Sequence, residues 1–544
     1  MAGFNSAVVV SAAPTTDESW QYIAMPSGFG TPTAVVVTAC ASAADGSATN
    51  GAAISWGASD GTNQWVNACC AEHGVADTDT LGYGNQIDVV MILDPVAQAV
   101  VGRATCAPFS DEKVSLYWSL APPAAYKIVV WACTGTTKAI AGTDTNTQAV
   151  DGTQVTSLSG MAVPDAIIMG SGVTAPIIGA ISTSIPAQLQ MGFVSYDGTT
   201  IRQVGQGLFM EDGNASGQNA QFLSTDTAIR PPDDGSSGAA PGLSVSAIAS
   251  GSFTTTKLIA AENLAFSYLA LDTPGEVYAG TWTLATGTPT YDAAFDLPGG
   301  VDDFVPHGVF VGMTGLNSDE ANGEVTNVRA GTFGIAMFDL DVDSGHTVTI
   351  QNRRGSATTD TQSFYSSKVL DVQNHAGTST LLEGTVKSTD DDGFTAAMTD
   401  SPANAKIYPV LVMGNLTAGP TALSASPTFP APTIIVVVDP DDRQVPIDFP
   451  WPTVTVALTV SPAAMDAGDV VPGPTISQYV PVIGVGGRTQ TSRGGGVTGT
   501  VASQTRRAEA VRQNISRGGA EAASVARGYT AVHEVGRGGS VASD

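Results

Sequence analysis

Lysine is nearly missing from this chain, with seven residues in 544, and all charged residues together make up only 13%. Long Glu/Lys/Leu-rich stretches are absent too, so helical bundles and coiled coils are excluded as the dominant architecture. Cysteine is scarce and confined. Cys40, Cys69, Cys70, Cys106 and Cys133 all fall in the first quarter, and their number is odd. Adjacent Cys69 and Cys70 are badly placed to bridge each other, so buried free thiols are expected rather than a disulfide frame. No apolar run approaches the ~18 residues of a membrane span. No Lys or Arg precedes Arg103, so the charged start of a secretion signal is missing, and assembly in a reducing cytoplasm with release by lysis is the expectation. Walker and G-x-G-x-x-G loops, H-x-x-x-H and C-x-x-C spacings are also lacking.

What the chain has is Gly, Ala, Thr and Ser in quantity, and short β-branched or aromatic runs bounded by Gly, Asp and Pro. PTAVVVTAC, AAISWGAS, QIDVVMILD, KVSLYWSL and YKIVVWAC are strand-and-turn grammar. Their apolar faces call for two packed sheets. The runs repeat. AYKIVVWACTG, AFSYLALDT and AKIYPVLVMG begin at Ala125, Ala265 and Ala405, intervals of 140 residues. A proline opens an apolar strand at Pro32, Pro164 and Pro306, and strands end in Asp turns at Asp60, Asp197 and Asp339. So long a period implies an array of domains, each able to bury its own core.

The fold expected is therefore all-β: three tandem β-sandwich, jelly-roll-like domains and an extended C-terminal arm. The boundaries read as 1–137, 138–275 and 276–414 for the three repeats, 415–484 for a Pro-rich segment with two strands, and 485–544 for a Gly/Arg-rich assembly tail with a short helix. Charge divides along the same line. Residues 1–487 hold 14 basic and 46 acidic side chains, a net −32, whereas 488–544 hold eight Arg and four acids, a net +4. So acidic a body repels nucleic acid and anionic membrane, and no nucleic-acid partner is expected.

Few residues suggest chemistry. Gly57-Ala58-Ser59-Asp60-Gly61 fits the nucleophile-elbow pattern, but no helix signal follows and a plain turn is the expectation. Asp339, Asp341 and Asp343 alternate as the oxygens of a calcium loop do. Ile350 stands where that loop needs Glu, so a solvated β-turn is preferred and calcium is the one cofactor weighed. Trp56, Trp118 and Trp131 lie inside strand runs and read as core. Trp65, just after a turn, is the candidate for stacking on a glycan. Arg488, Arg493, Arg506, Arg507, Arg512 and Arg517 lead a tail whose cations are expected to dock on an acidic protein surface. His73, His307, His346, His375 and His533 are scattered, and the expectation for them is surface or turn positions.

In layout and composition, over its whole length, the chain resembles virion structural proteins of tailed bacteriophages. That resemblance implies a non-enzymatic homo-oligomer with no cofactor, assembled in the host cytoplasm, whose arm binds other virion proteins. A tail or baseplate fibre-like part that attaches to a host glycan or receptor is the first expectation. Capsid decoration or head spike is the second, and a surface-layer or carbohydrate-binding protein the third.

Overall fold

A computed structural model describes residues 3–416, apart from 78, 173–186, 212–218, 231–241, 260–262, 288–289, 295–303, 318–322, 327–329, 341–343, 354–357, 374–379, 391–392 and 401–403, together with 482–483 and 489–490. The protein is all-β, with no helix among the described residues. Residues Met1–Thr417 form one compact unit and Ala418–Asp544 a second.

The first stretch supplies β1 (Asn5–Ala12), β2 (Ser19–Ala24), β3 (Ala34–Cys40), β4 (Thr49–Asn50), β5 (Ala52–Ser59), β6 (Gln64–Ala71), β7 (Thr80–Asn85), β8 (Val90–Asp94), β9 (Ala99–Cys106), β10 (Lys113–Leu120) and β11 (Lys127–Thr134). The second gives β12 (Lys138–Asn146), β13 (Thr153–Ser157), β14 (Ala166–Ser171), β15 (Ala187–Tyr196), β16 (Ile201–Met210), β17 (Asn219–Ser224), β18 (Gly242–Ala249), β19 (Ser252–Ile259) and β20 (Leu264–Asp272). The third gives β21 (Glu276–Leu284), β22 (Thr290–Ala294), β23 (Phe304–Thr314), β24 (Gly323–Thr326), β25 (Ala330–Asp339), β26 (Ser344–Arg353), β27 (Asp360–Ser366), β28 (Leu370–Gln373), β29 (Thr380–Asp390), β30 (Gly393–Asp400) and β31 (Lys406–Leu416). In the second unit only β32 (Val482–Ile483) and β33 (Thr489–Gln490) are described, paired with each other.

One plan recurs. A large sheet orders as β1-β11-β3-β5-β6-β7, then as β12-β20-β14-β15-β16-β17, then as β21-β31-β23-β25-β26-β27. A small sheet faces each: β2-β10-β9-β8, β13-β19-β18 and β22-β30-β29-β28. Large-sheet strands are covered on both faces and therefore read as unbroken apolar runs, as in β11, whereas β2 alternates because one of its faces meets water. Val36, Ile168 and Phe310, each four residues past a landmark proline, pair with Trp131, Leu269 and Leu411. By this register the repeat steps are 138 and 142 residues (positions 131, 269 and 411), not 140 twice. The difference arises because the Ala-led segments enter their strands at different points.

Each repeat buries a core of its own between its two sheets, as the period implies, and the three share a further one. Alternate residues of the large sheets divide between two interiors. Val35, Val37, Ile128 and Val130 pack outward against Ile23, Val114, Leu116 and Trp118 of the first small sheet. Val36 and Trp131 turn the other way, into a cluster with Ile168 and Phe193 of the second repeat and Phe310 and Ile335 of the third. At its middle the Phe310 ring lies 4.8 Å from Trp131 and 6.1 Å from Phe193, centroid to centroid.

The three sheets close into a head-to-tail ring. From first to second, Asp60 Oδ2 accepts the Ala141 N–H at 2.9 Å and Trp65 Nε1 donates to the Tyr268 carbonyl at 2.7 Å. From second to third, Ser195 Oγ accepts the Ala279 N–H at 2.9 Å, and Gln206 Nε2 donates to Gly334 O at 3.0 Å. From third to first, Ser363 Oγ donates to Gly51 O at 2.7 Å and Thr361 Oγ1 to Ala71 O at 3.0 Å. Strands cross the seams as well: β4 extends the third sheet beside β27, and β24 extends the second beside β17. Asn415 ties the end of the unit to its first strand, accepting the Phe4 N–H and donating to the Phe4 carbonyl, both at 2.8 Å.

Candidate functional site

The residues singled out in the sequence do not converge. Trp65 is fully buried at 0% exposure, so the surface position expected of it is corrected: the ring is a seam residue, packed edge-on against Trp56 at 4.9 Å. Its turn is short, and β6 begins at once and carries the indole beneath the second repeat. Asp339 closes β25 with 2% exposure, while Asp341 and Asp343 lie outside the described residues. Among the described residues no group of three or more His, Cys, Asp or Glu is placed to hold a metal ion. Arg488, Arg493, Arg506, Arg507, Arg512 and Arg517 lie outside the described residues, as do His375 and His533.

The elbow-like pattern has a packing explanation. A Cβ at Gly57 would stand 2.4 Å from the Val89 carbonyl oxygen, and Gly61 takes φ +83°, which favours glycine. Ser59 donates to Asn63 O at 3.0 Å and accepts the Gly61 N–H at 3.0 Å, so its hydroxyl closes the β5–β6 turn. The described histidines are separately engaged. His73 meets Thr361, and His307 meets Asn415 at 2.8 Å. His346 stacks on Tyr365, and burial pushes its pKa down to about 4. All five thiols are free, and burial raises Cys40, Cys69 and Cys133 to about 12.

One surface feature stands apart. β2 is the edge strand of the first small sheet, and it turns Trp20 and Tyr22 to solvent at 51% and 64% exposure. Their rings lie parallel within 7°, with centroids 6.4 Å apart. Tyr117, opposite Trp20 on β10, brings a third ring to 5.1 Å from Trp20. The Lys113 ammonium stands 5.1 Å from the Tyr22 centroid.

The opposite face of the strand fixes this arrangement. Gln21 donates to Ser11 Oγ and to Ala12 O, each at 2.8 Å, and accepts the buried Trp118 indole N–H at 2.8 Å. Ile23 fills the core beneath. The strand is thereby bolted to β1, and its aromatic side has rigid backing. The equivalent edge strand of the second repeat, β13, exposes Thr153, Val155 and Ser157 instead. The plan itself therefore does not call for aromatics on this face.

Comparison with protein-family models, curated proteins and solved structures finds no match to this chain. The aromatic group went unremarked in the sequence because Trp and Tyr in a strand ordinarily mark core. Its signal was alternation: Trp20 and Tyr22 share one parity, Gln21 and Ile23 the other.

Proposed function

We propose that the chain is a structural component of a tailed-phage virion: three tandem jelly-roll-like sandwiches and an assembly arm, acting in the tail or baseplate as a host-attachment part. The observation that carries this reading is the closed ring of three repeats around one interior. Such a ring is a rigid single-chain body with approximate threefold character, suited to repeated placement on a symmetric particle. Asn415, bound to Phe4, closes this ring where its chain begins. In this reading the Arg-bearing tail fastens to neighbouring virion proteins and copies of the chain act together. Low affinity per copy is then raised by multivalency, as reversible adhesion requires.

The same threefold character favours a second reading, capsid decoration or a head spike at a threefold position of the shell. One experiment addresses both. Antibody raised against the purified chain is applied to phage particles and imaged. Label on the tail or baseplate is the expected result, label on the shell selects the second reading, and particles without label overturn both.

A further inference from the structure

Resting on the attachment reading, we propose that Trp20, Tyr22, Tyr117 and Lys113 form a glycan-binding face that takes neutral, pyranose-containing oligosaccharides. Three observations converge on it. Trp20 and Tyr22 are exposed and parallel within 7°, and half-buried Tyr117 lies beside Trp20. A pyranose presents a C–H face, apolar and slightly positive, which suits the negative face of an aromatic ring.

The face is also preorganised. Gln21 holds β2 against β1 and Trp118, so little side-chain or strand freedom is lost when a ligand binds. Rigid Trp and Tyr give large contact area at low entropic cost. Lys113, whose ammonium stands over the Tyr22 ring, supplies donors for the hydroxyl oxygens of a sugar stacked beside it on Trp20.

The third observation is the comparison inside the molecule. The same strand of the second repeat exposes Thr153, Val155 and Ser157, so the fold is built without aromatics there. Between these two strands, the exposed aromatics belong to the first repeat alone. Charge selects the class of ligand: with Asp and Glu at 46 against 14 basic residues over 1–487, the body disfavours polyanions, which leaves stacking on neutral sugar as the matching chemistry.

The test uses the full chain and its Trp20→Ala and Tyr22→Ala variants, with Val155→Ala as a control on the second sheet. Saturation-transfer NMR is run with an N-acetylglucosamine tetramer, with maltohexaose and with dextran sulfate, and sedimentation is measured in parallel. The expected result is transfer to the ring C–H protons of at least one neutral probe, with affinity falling about tenfold or more in either aromatic variant and unchanged in the control. The two neutral probes separate a wall-type acetylated sugar from a plain glucan. Both target side chains are more than half exposed, so melting temperatures should match the parent and a binding loss reads on the face itself. No transfer from either neutral probe, equal binding by both aromatic variants, or preference for dextran sulfate overturns the proposal. So does a self-associating parent that Trp20→Ala renders monomeric, because the face would then join copies of the chain. Sugar binding without label on particles would sink the virion reading alone, and labelled particles without sugar binding would sink this one alone.

Discussion

Replacing Phe310 by Ala tests whether the three repeats stand or fall together. Phe310 belongs to the third repeat, is 1% exposed, and touches the rings of Trp131 in the first and Phe193 in the second. A buried Phe→Ala change costs about 3–5 kcal/mol, and the lost ring pairs place this site near the middle or top of that range, about 4 kcal/mol. In urea, with a slope of about 4 kcal/mol/M for a unit larger than the small domains that show ~1–3, the midpoint should fall by roughly 1 M. The reporter is intrinsic fluorescence in a Trp282→Phe, Trp451→Phe background, where the five remaining tryptophans, Trp20, Trp56, Trp65, Trp118 and Trp131, all sit in the first repeat, far along the chain from the substitution. The shared interior requires their transition to move with the far-UV circular dichroism. A tryptophan transition that stays in place while part of the dichroism is lost early would refute the shared core and restore independent domains.

Gln21→Ala should cost about 1–3 kcal/mol by stranding the buried Trp118 indole N–H, and Gln21→Glu, which keeps that acceptor but loses the donors to Ser11 and Ala12, should recover only part of it; thermal melts of the three proteins decide. Native protein should react negligibly with a thiol reagent at pH 8, because burial raises Cys40, Cys69, Cys106 and Cys133 to about 12 and pushes Cys70 well above its ordinary value, and all five should react once urea unfolds it; a fast-reacting native thiol would contradict the packing. His346, whose folded pKa is pushed by burial to about 4, stays neutral while the unfolded chain takes up a proton, so its contribution to stability is lost as pH falls from about 6.5 towards 4. His346→Gln should flatten that loss in urea midpoints taken at pH 7, 5.5 and 4.5. Asp165 acts in the opposite direction. Burial raises its pKa to about 6, so the folded state holds a proton that the unfolded one releases, and stability is gained as pH falls from about 6 to 4. Asp165→Asn, which can still accept from Thr273, should therefore make the acid-side loss steeper in the same measurement.

Strand grammar made the all-β class legible, since β-branched runs between turn residues have few other solutions. The two-sided apolar character of β3 and β11 also announced that both faces are covered. What covers them was not legible. Val35 and Val36 are equally apolar, yet one meets the first small sheet and the other the second and third repeats. Period-2 alternation assigns parity, not partners. Trp65 shows the same limit, because a residue just past a surface turn can dive under a neighbour when the strand begins immediately. Trp20 and Tyr22 fail the other way: the residue types that dominate cores are here held out to solvent by a glutamine and an isoleucine of opposite parity.

The bond between Phe4 and Asn415 spans 411 positions of sequence, and β27 gains β4 across more than 300. During synthesis the first repeat can pair its own strands, but its seam with the third must wait until the last of the ring emerges, with that border open to strangers in the interval. Contacts so distant along the chain make folding slow. A product cut short before residue 415 would keep its seams unsealed, which makes premature termination a route to aggregates rather than to smaller working pieces.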